Sequence, residues 1–553
     1  MIKVNNQYDH RILKYVFVAI PVITGLFFIL PLFNFESLWA DEFYQAICVR
    51  RYKEAPMGIL TFFIGNKWTE VFGFSLLNLR ILAAVEGVLA ITITSIFSYR
   101  CTKNAILSAF SFLLACLLYK YAAFPIYNWD SGTYLFDAIA ICLMISLISH
   151  PSKIKYVLLG IIIGLMTLGR LPSGIFIVFS CVLIFIANKY NSSGFNSPKA
   201  IFYVLAGWIF AILLLLTIIY DSPLNFFSYL KLENTVPRHS LIHDGKYLFD
   251  RLWKISWIST AKWFPGLGCM LIAVVLPYIR KRIISILIVS FWLIFCLLLA
   301  FQRYTEYQMP MALGGDSVVG FALILVYPIY CTLKNKKTNP IVNIKLWGVV
   351  AILISMSFGS DGYFERSLTA FVVPILITIV WNVNIKPLKT YIISTFTVCI
   401  PVFAIMLSCY FCLLGRKIYQ NETYSLSFPV FKEIIFKTEF FGIQLNEVKD
   451  AIPHLQKNGT KFAYLANPQL VEVVYGQNQG ISFHRFGEEL SMPEVWEKNR
   501  DNILPQIDAV VYPSSLDLIE AVTVLDDLKN EGFTNIKKIG GAIVMYRDNF
   551  KCK

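Results

Sequence analysis

Along the first 415 residues, apolar runs of about 20 residues recur, each ended by a short polar break. A helix rises about 1.5 Å per residue, so roughly 20 apolar residues match the hydrocarbon core of a bilayer. Runs near 12–33, 80–98, 104–121, 131–149, 156–169, 173–188, 200–220, 265–279, 283–301, 317–333, 341–358, 367–383 and 391–415 fit this length, the stretches at 156–169 and 173–188 being the shortest. The expected fold is therefore a polytopic α-helical membrane protein with about thirteen spans. Composition agrees, with 57% hydrophobic and 15% charged residues and a mean hydropathy of +0.61. A water-soluble domain carries about 25% charge, so a soluble globule and a disordered chain are excluded. The first run follows Lys3, Arg11 and Lys14 and has no small-residue cleavage site after it. It reads as a retained span, not a signal peptide. Most of the 12 cysteines lie inside apolar runs, so they read as small hydrophobes.

The net charge of +14 is unevenly placed. The N-terminus and segments 99–104, 150–156, 189–199, 280–282, 334–345 and 386–389 together hold 18 Lys/Arg and a single acid, Asp9. The intervening connections mix both signs. Basic loops stay in the cytoplasm, which sets the N-terminus inside and, for an odd span number, the C-terminus outside. The basicity is then an orientation signal, and no nucleic-acid partner is expected. The expected location is a bacterial inner membrane, although sequons at Asn421 and Asn458 keep an endoplasmic-reticulum setting open.

Beyond Gly415 the composition changes. Residues 417–553 hold 15 Lys/Arg and 18 Asp/Glu. Runs at 462–465, 509–512 and 542–546 read as buried strands, and Leu516, Ile519, Val522 and Leu525 suggest a helix over 515–529. The domain organisation is thus 1–416 for the membrane part and 417–553 for a small extracytoplasmic α/β domain. No GxGxxG, P-loop or nucleophile elbow occurs in that tail, which reads as a scaffold or acceptor-docking domain.

The polar residues able to do chemistry gather in the outer connections. Leu38-Trp-Ala-Asp41-Glu42-Phe-Tyr-Gln follows the first span. On a helix, adjacent carboxylates project about 100° apart; a carboxylate there can serve as a general base or simply cap a helix. Arg50-Arg51-Tyr-Lys53-Glu54-Ala-Pro56 comes next, then Phe72-Gly73-Phe-Ser75 and Arg80. Tyr127-Asn128-Trp129-Asp130 opens the fourth span, with Asp137 seven residues further on the same helix face. Glu86 lies inside the second span; intramembrane acids are functional suspects or are paired within the bundle. Gly164-Leu-Met-Thr-Leu-Gly-Arg170-Leu-Pro-Ser-Gly174 places Arg170 between two apolar runs. His239 and His243 have an i, i+4 spacing that can hold zinc, but Pro237 is close and no protease-type HExxH is present.

This ordered set resembles the membrane glycosyltransferases that use polyprenyl-phosphate sugars, among them the protein O-mannosyltransferases and the bacterial aminoarabinose transferases of lipid A. The shared features are an Asp-Glu pair after the first span, a basic-plus-Pro segment, an FG-x-S-x(4)-R lead-in to the second span, and a turn between spans five and six. The sequence departs from the pattern twice. Glu54-Ala55-Pro56 stands where the family has Lys/His-Pro-Pro, and Arg170 stands where it carries Lys.

The resemblance implies a C-type glycosyltransferase fold and a polyprenyl-phosphate sugar donor, with a lipid, glycan or protein acceptor. It implies Asp41 as catalytic base, with Glu42 orienting it or holding the acceptor. Candidate lipid-phosphate contacts are Arg170, Lys53, Lys262, Arg303 and Arg366, because cations suit a departing phosphate and Arg does so bidentately. Their plain alternative is interfacial anchoring or pairing. In oligosaccharyltransferase-like enzymes an acid in the second outer loop helps hold a divalent metal, so Asp130 and Asp137 are acceptor or metal candidates beside a helix-capping role for Asp130. Two rival functions are a lipid-linked glycan flippase or transporter and a non-catalytic assembly protein acting through the tail. Sparse charge within the spans argues against the first.

Overall fold

In the computed structural model the described residues are 40–122, 127–129, 131–190, 196–233, 260–279, 281–307, 330, 340–357, 371–383, 388–402, 424–425, 435–436, 440–466, 468–476, 493–515 and 518–548. The protein is mostly helical, with a small mixed sheet near the C-terminus. Contacts divide the chain into two compact units. The first comprises 1–32, 56–61 and 81–420, and the second 33–55, 62–80 and 421–553. The second unit therefore joins parts of the connection after the first apolar run to the distant tail.

Among the described residues, four helices are long and apolar enough to cross a membrane: Leu76–Thr102, Ser131–Ser149, Leu171–Tyr190 and Ser197–Tyr220. Shorter apolar helices cover Ala105–Ala115, Gly268–Tyr278, Arg282–Leu298, Pro340–Met356, Val372–Asn382 and Leu388–Val402. The run expected at 156–169 forms the helix Lys153–Gly169. The runs at 12–33 and 317–333 lie outside the described residues, apart from Tyr330. These helices make an integral membrane protein. With no water in the bilayer core, each span must satisfy its own peptide groups, which only a helix or a closed barrel does.

Close packing in the first unit depends on glycine. A Cβ added to Gly160 would lie 2.0 Å from the Val204 carbonyl oxygen, and one on Gly207 would lie 2.3 Å from that of Val157. One turn on, a Cβ at Gly164 would meet the Ala211 Cβ at 2.8 Å. The helices Lys153–Gly169 and Ser197–Tyr220 thus approach backbone to backbone along a small-residue seam, the usual membrane solution where lipid supplies no hydrophobic drive. Trp208 Nε1 crosses the seam and donates to Thr167 Oγ1 at 3.1 Å.

In the tail, β3 (Phe462–Tyr464), β4 (Ala509–Pro513), β5 (Asn535–Ile539) and β6 (Ala542–Tyr546) form a sheet of order β3-β4-β6-β5. β3 and β4 are parallel, and β6 is antiparallel to both β4 and β5. A separate two-residue pair joins β1 (Tyr424–Ser425) to β2 (Ile435–Phe436). Alternate residues of β3, β4 and β6 enter two different cores. Val510, Tyr512 and Met545 pack with Val524 and Leu528, whereas Val511, Val544 and Tyr546 pack with Val448, Ile452 and Leu455. Strands covered on both faces read as unbroken apolar runs, which is why these three are visible in sequence. β5 carries exposed Lys537 and Lys538 at the sheet edge, a charge placement that discourages edge pairing.

The tail helix forms where the apolar spacing suggests it. It spans Leu518–Asn530, and its buried face is Ala521, Val524, Leu525 and Leu528, whereas Val522 is 48% exposed. A strict spacing of three drifts about 60° per step around a helix with 3.6 residues per turn, so Val522 and Leu525 differ in burial.

Gly160→Val and Gly207→Val are expected to lower the Tm of the purified protein. Overpacking typically costs about 1–3 kcal/mol, and contact with backbone places these changes at the upper end. Gly348→Ala, whose Cβ would sit 3.7 Å from Met144 Cγ, should leave Tm nearly unchanged in the same thermal-unfolding measurement.

Candidate functional site

Asp41 and Glu42 lie in the first turn of the helix Ala40–Arg50. Glu42, Phe43 and Gln45 to Val49 are all buried, so this helix is enclosed rather than lying on a surface. The Glu42 carboxylate accepts from Arg80 through both oxygens, Nε to Oε1 at 2.7 Å and Nη2 to Oε2 at 2.8 Å. The side chains are 3% and 5% exposed for Arg80 and Glu42. A planar guanidinium fork matched to a carboxylate is the geometry that best compensates two desolvated charges. The Asp41 side chain lies outside the described residues.

The FG-x-S-x(4)-R segment has a structural reason. Gly73, at φ +86, follows the helix Ile59–Phe72, a backbone conformation that favours glycine. Ser75 caps the next helix, its Oγ accepting from the Asn78 N–H at 3.1 Å. Asn78 Nδ2 donates back to the Phe72 and Gly73 carbonyls at 2.7 and 2.9 Å. Trp68 Nε1 donates to the Asn78 carbonyl at 3.0 Å. This double cap fixes where the helix Leu76–Thr102 begins and hence where Arg80 meets Glu42.

Lys53 of the basic segment is exposed in the 3-10 turn Tyr52–Glu54. Its neighbours engage the tail. Arg50 Nη1 donates to the carbonyls of Glu472 and Val473 at 3.1 and 2.9 Å, and the guanidinium stands 3.7 Å over the Phe74 ring. Arg51 pairs with the Glu472 carboxylate at 3.1 Å and with Glu54. Burial pushes the Glu472 carboxyl above the ordinary carboxylate range, and the opposing pull of Arg51 and Arg50 does not cancel it. On Arg51, burial pulls down but the carboxylates of Glu54 and Glu472 outweigh it, so its pKa is raised.

A second cluster lies within the first unit. Thr61 Oγ1 donates to the Gly169 carbonyl at 3.0 Å, and the Tyr127 hydroxyl donates to the Thr61 carbonyl at 2.7 Å. A Cβ on Gly132 would lie 2.2 Å from Thr61 Cγ2, and one on Gly169 would lie 2.6 Å from Thr133 Cγ2. Thr61 thus joins two sequence motifs, the opening of the fourth span and the Gly-Arg170 turn. Arg170, 3% exposed, directs Nη1 to Ser173 Oγ and to the Ser355 carbonyl, each at 3.3 Å. Asp137 is fully buried in the first turn of the helix Tyr134–Ser149. Glu86 is also buried, and its Oε2 has no hydrogen-bond partner among the described residues. Lys262 and Arg303 fall in the helices Thr260–Val275 and Arg282–Tyr307, their side chains outside the described residues. Asp130, His239, His243 and Arg366 lie outside the described residues altogether. Among the described residues, no three His, Cys, Asp or Glu side chains are grouped to hold a metal.

Sequence reasoning did not assign Thr61, Glu472 or the Arg80 pairing. Thr61 and Glu472 carry no local signal, since both act through partners more than 60 positions away. Arg80 was legible as a motif residue but not as the counter-charge of Glu42.

No family model matches the chain, and no curated protein does. Solved structures do. The archaeal oligosaccharyltransferase AglB from Archaeoglobus fulgidus, in complex with an inhibitory peptide and a dolichol-phosphate, is similar with a TM-score of 0.50 at 12% identity, over 95% of this chain and 72% of that one. ArnT from Cupriavidus metallidurans bound to undecaprenyl phosphate aligns over 96% of this chain and 97% of its own, at 12% identity and a TM-score of 0.38. The likeness is one of fold: the chain resembles the C-type membrane glycosyltransferases in architecture.

Arg80→Ala leaves a buried carboxylate without its counter-charge and is expected to destabilise by about 3–5 kcal/mol, measured by thermal unfolding; Arg80→Lys should lose less. For Glu472 the folded pKa lies above the unfolded one, so the folded state binds the extra proton. Its contribution is fully present below the ordinary carboxylate value and is lost as pH rises through the raised value. Tm measured against pH should therefore fall across that interval, and Glu472→Gln should flatten that limb.

Proposed function

We propose that the protein is a membrane glycosyltransferase that moves a sugar from a polyprenyl-phosphate carrier to a lipid, glycan or protein acceptor on the outer face. Asp41 acts as general base. Its carboxylate takes the proton of the acceptor hydroxyl while that oxygen attacks the anomeric carbon. The bond to the lipid phosphate breaks with its electron pair leaving on the phosphate oxygen, and the configuration inverts. The topology that goes with this reading has about thirteen spans, a cytoplasmic N-terminus, a membrane domain over 1–416 and an extracytoplasmic domain over 417–553.

The observation that carries the reading is the buried Glu42–Arg80 pair. Glu42 gives both carboxylate oxygens to Arg80, which makes it a positioning residue. With Glu42 in that role, the reading gives proton transfer to Asp41, its neighbour on the same helix. The fold-level likeness to AglB supports the class of reaction, as does the ordered set of motifs. Arg170 is the leading phosphate contact, because it is a buried cation at the turn between two spans and a planar guanidinium suits a departing phosphate bidentately. Lys53, Lys262, Arg303 and Arg366 are the further candidates. Asp130 and Asp137 are candidates for the acceptor or a divalent metal.

The test is turnover by purified protein with polyprenyl-phosphate sugars. Asp41→Asn is expected to reduce kcat by about 10²–10⁴-fold, the usual range for a general base, with donor affinity retained. Wild-type turnover in that variant would remove Asp41 as the base. Lipid-linked sugar flux across liposomes without bond formation would favour a flippase instead.

A further inference from the structure

The helix that carries Asp41 is anchored at both ends. Near its start Glu42 is locked to Arg80. At its finish, about 12 Å away at 1.5 Å per residue, Arg50 and Arg51 both grip the helix Pro468–Tyr475 of the tail. Arg50 meets the carbonyls of Glu472 and Val473 in the last turn of that helix. A cation there also meets the negative end of the helix dipole. Gly476, at φ +84, ends that helix, and its N–H donates to the Glu472 carbonyl at 2.9 Å. Arg51 adds the Glu472 carboxylate. The Arg51 and Glu472 side chains are only 8% and 13% exposed, so salt screens this contact less than a surface pair. An adhesive contact for the tail could be made anywhere on its surface. This one falls on the helix bearing the acid pair and leaves that helix no free end.

We propose that the tail domain positions the Asp41 helix through a clasp of Arg50, Arg51 and Glu472, so that these three are positioning residues for sugar transfer. The proposal rests on the reading of Asp41 as the base. Its physical content is that a helix held at one end pivots about that end, and the second anchor removes the pivot. Misplacing a reacting group by about 1 Å can reduce a rate by roughly 100-fold. Losing the clasp therefore lowers kcat rather than donor affinity.

The experiment uses the full chain in detergent or nanodiscs, with Arg50→Ala, Arg51→Met, Glu472→Gln and the exchanged pair Arg51→Glu with Glu472→Arg. Three quantities are read: amide hydrogen exchange over residues 40–50, Tm, and kcat and KM with a polyprenyl-phosphate sugar. The single variants are expected to exchange faster over 40–50 and to lose about 10- to 100-fold in kcat, with KM for the donor within about twofold. The exchanged pair is expected to recover part of both. Unchanged exchange over 40–50 overturns the clasp, and this readout needs no activity. Faster exchange with unchanged kcat, while Asp41→Asn is inactive, overturns the positioning role. A loss of kcat that merely follows a global fall in Tm and is not recovered by the exchanged pair overturns it as well. Full turnover by Asp41→Asn would instead defeat the proposed base, and the exchange measurement alone would then judge the clasp.

Discussion

A bilayer core offers no water to a peptide group, and the rest of this structure follows from that constraint. Each span satisfies its own backbone as a helix, and polar side chains are pushed to helix ends and connections. Where spans touch, lipid gives no hydrophobic reward for association, so helices gain contact by coming very close. Gly160, Gly164, Gly207 and Ala211 show this, with backbones near enough that a single Cβ would collide. The same closeness sets the Gly169–Arg170 turn beside Thr61 and Thr133.

Charges in such surroundings need partners or ligands. Glu42 and Arg80 solve this with one bidentate pair, and the solution does more than neutralise. It ties the helix carrying the acid pair to the first turn of the helix Leu76–Thr102, whose start is itself set by Gly73, Ser75 and Asn78. Arg50, Arg51 and Glu472 repeat the strategy with the tail. A segment that sequence order assigns to a connection between spans thereby joins a unit with residues some 420 positions away.

The membrane character, the apolar helices and the mixed tail domain were legible because burial on all sides leaves a long apolar run, whichever neighbours provide the burial. β3, β4 and β6 were visible for that reason. β5 was not, because its exposed Lys537 and Lys538 carry no apolar pattern. The tail helix was legible from its apolar spacing, whereas its buried face, Ala521, Val524, Leu525 and Leu528, is set by the sheet it meets. At the candidate site, the motif from Gly73 to Arg80 was visible as an ordered string of residues, whereas its meaning as two caps and a counter-charge required the helices to be placed.

Sequence by itself determined that this chain belongs in a membrane, with connections that are almost purely basic alternating with connections that mix both signs. Those properties depend on local composition and on the match between helix length and bilayer thickness. Only the tertiary structure decided that Glu42 belongs to Arg80, that Thr61 joins the Tyr127 and Arg170 segments, and that Glu472 of the tail meets Arg51. Pairing is a property of distance in space: one carboxylate accepts any guanidinium equally well, and the fold alone brings a particular one within 3 Å.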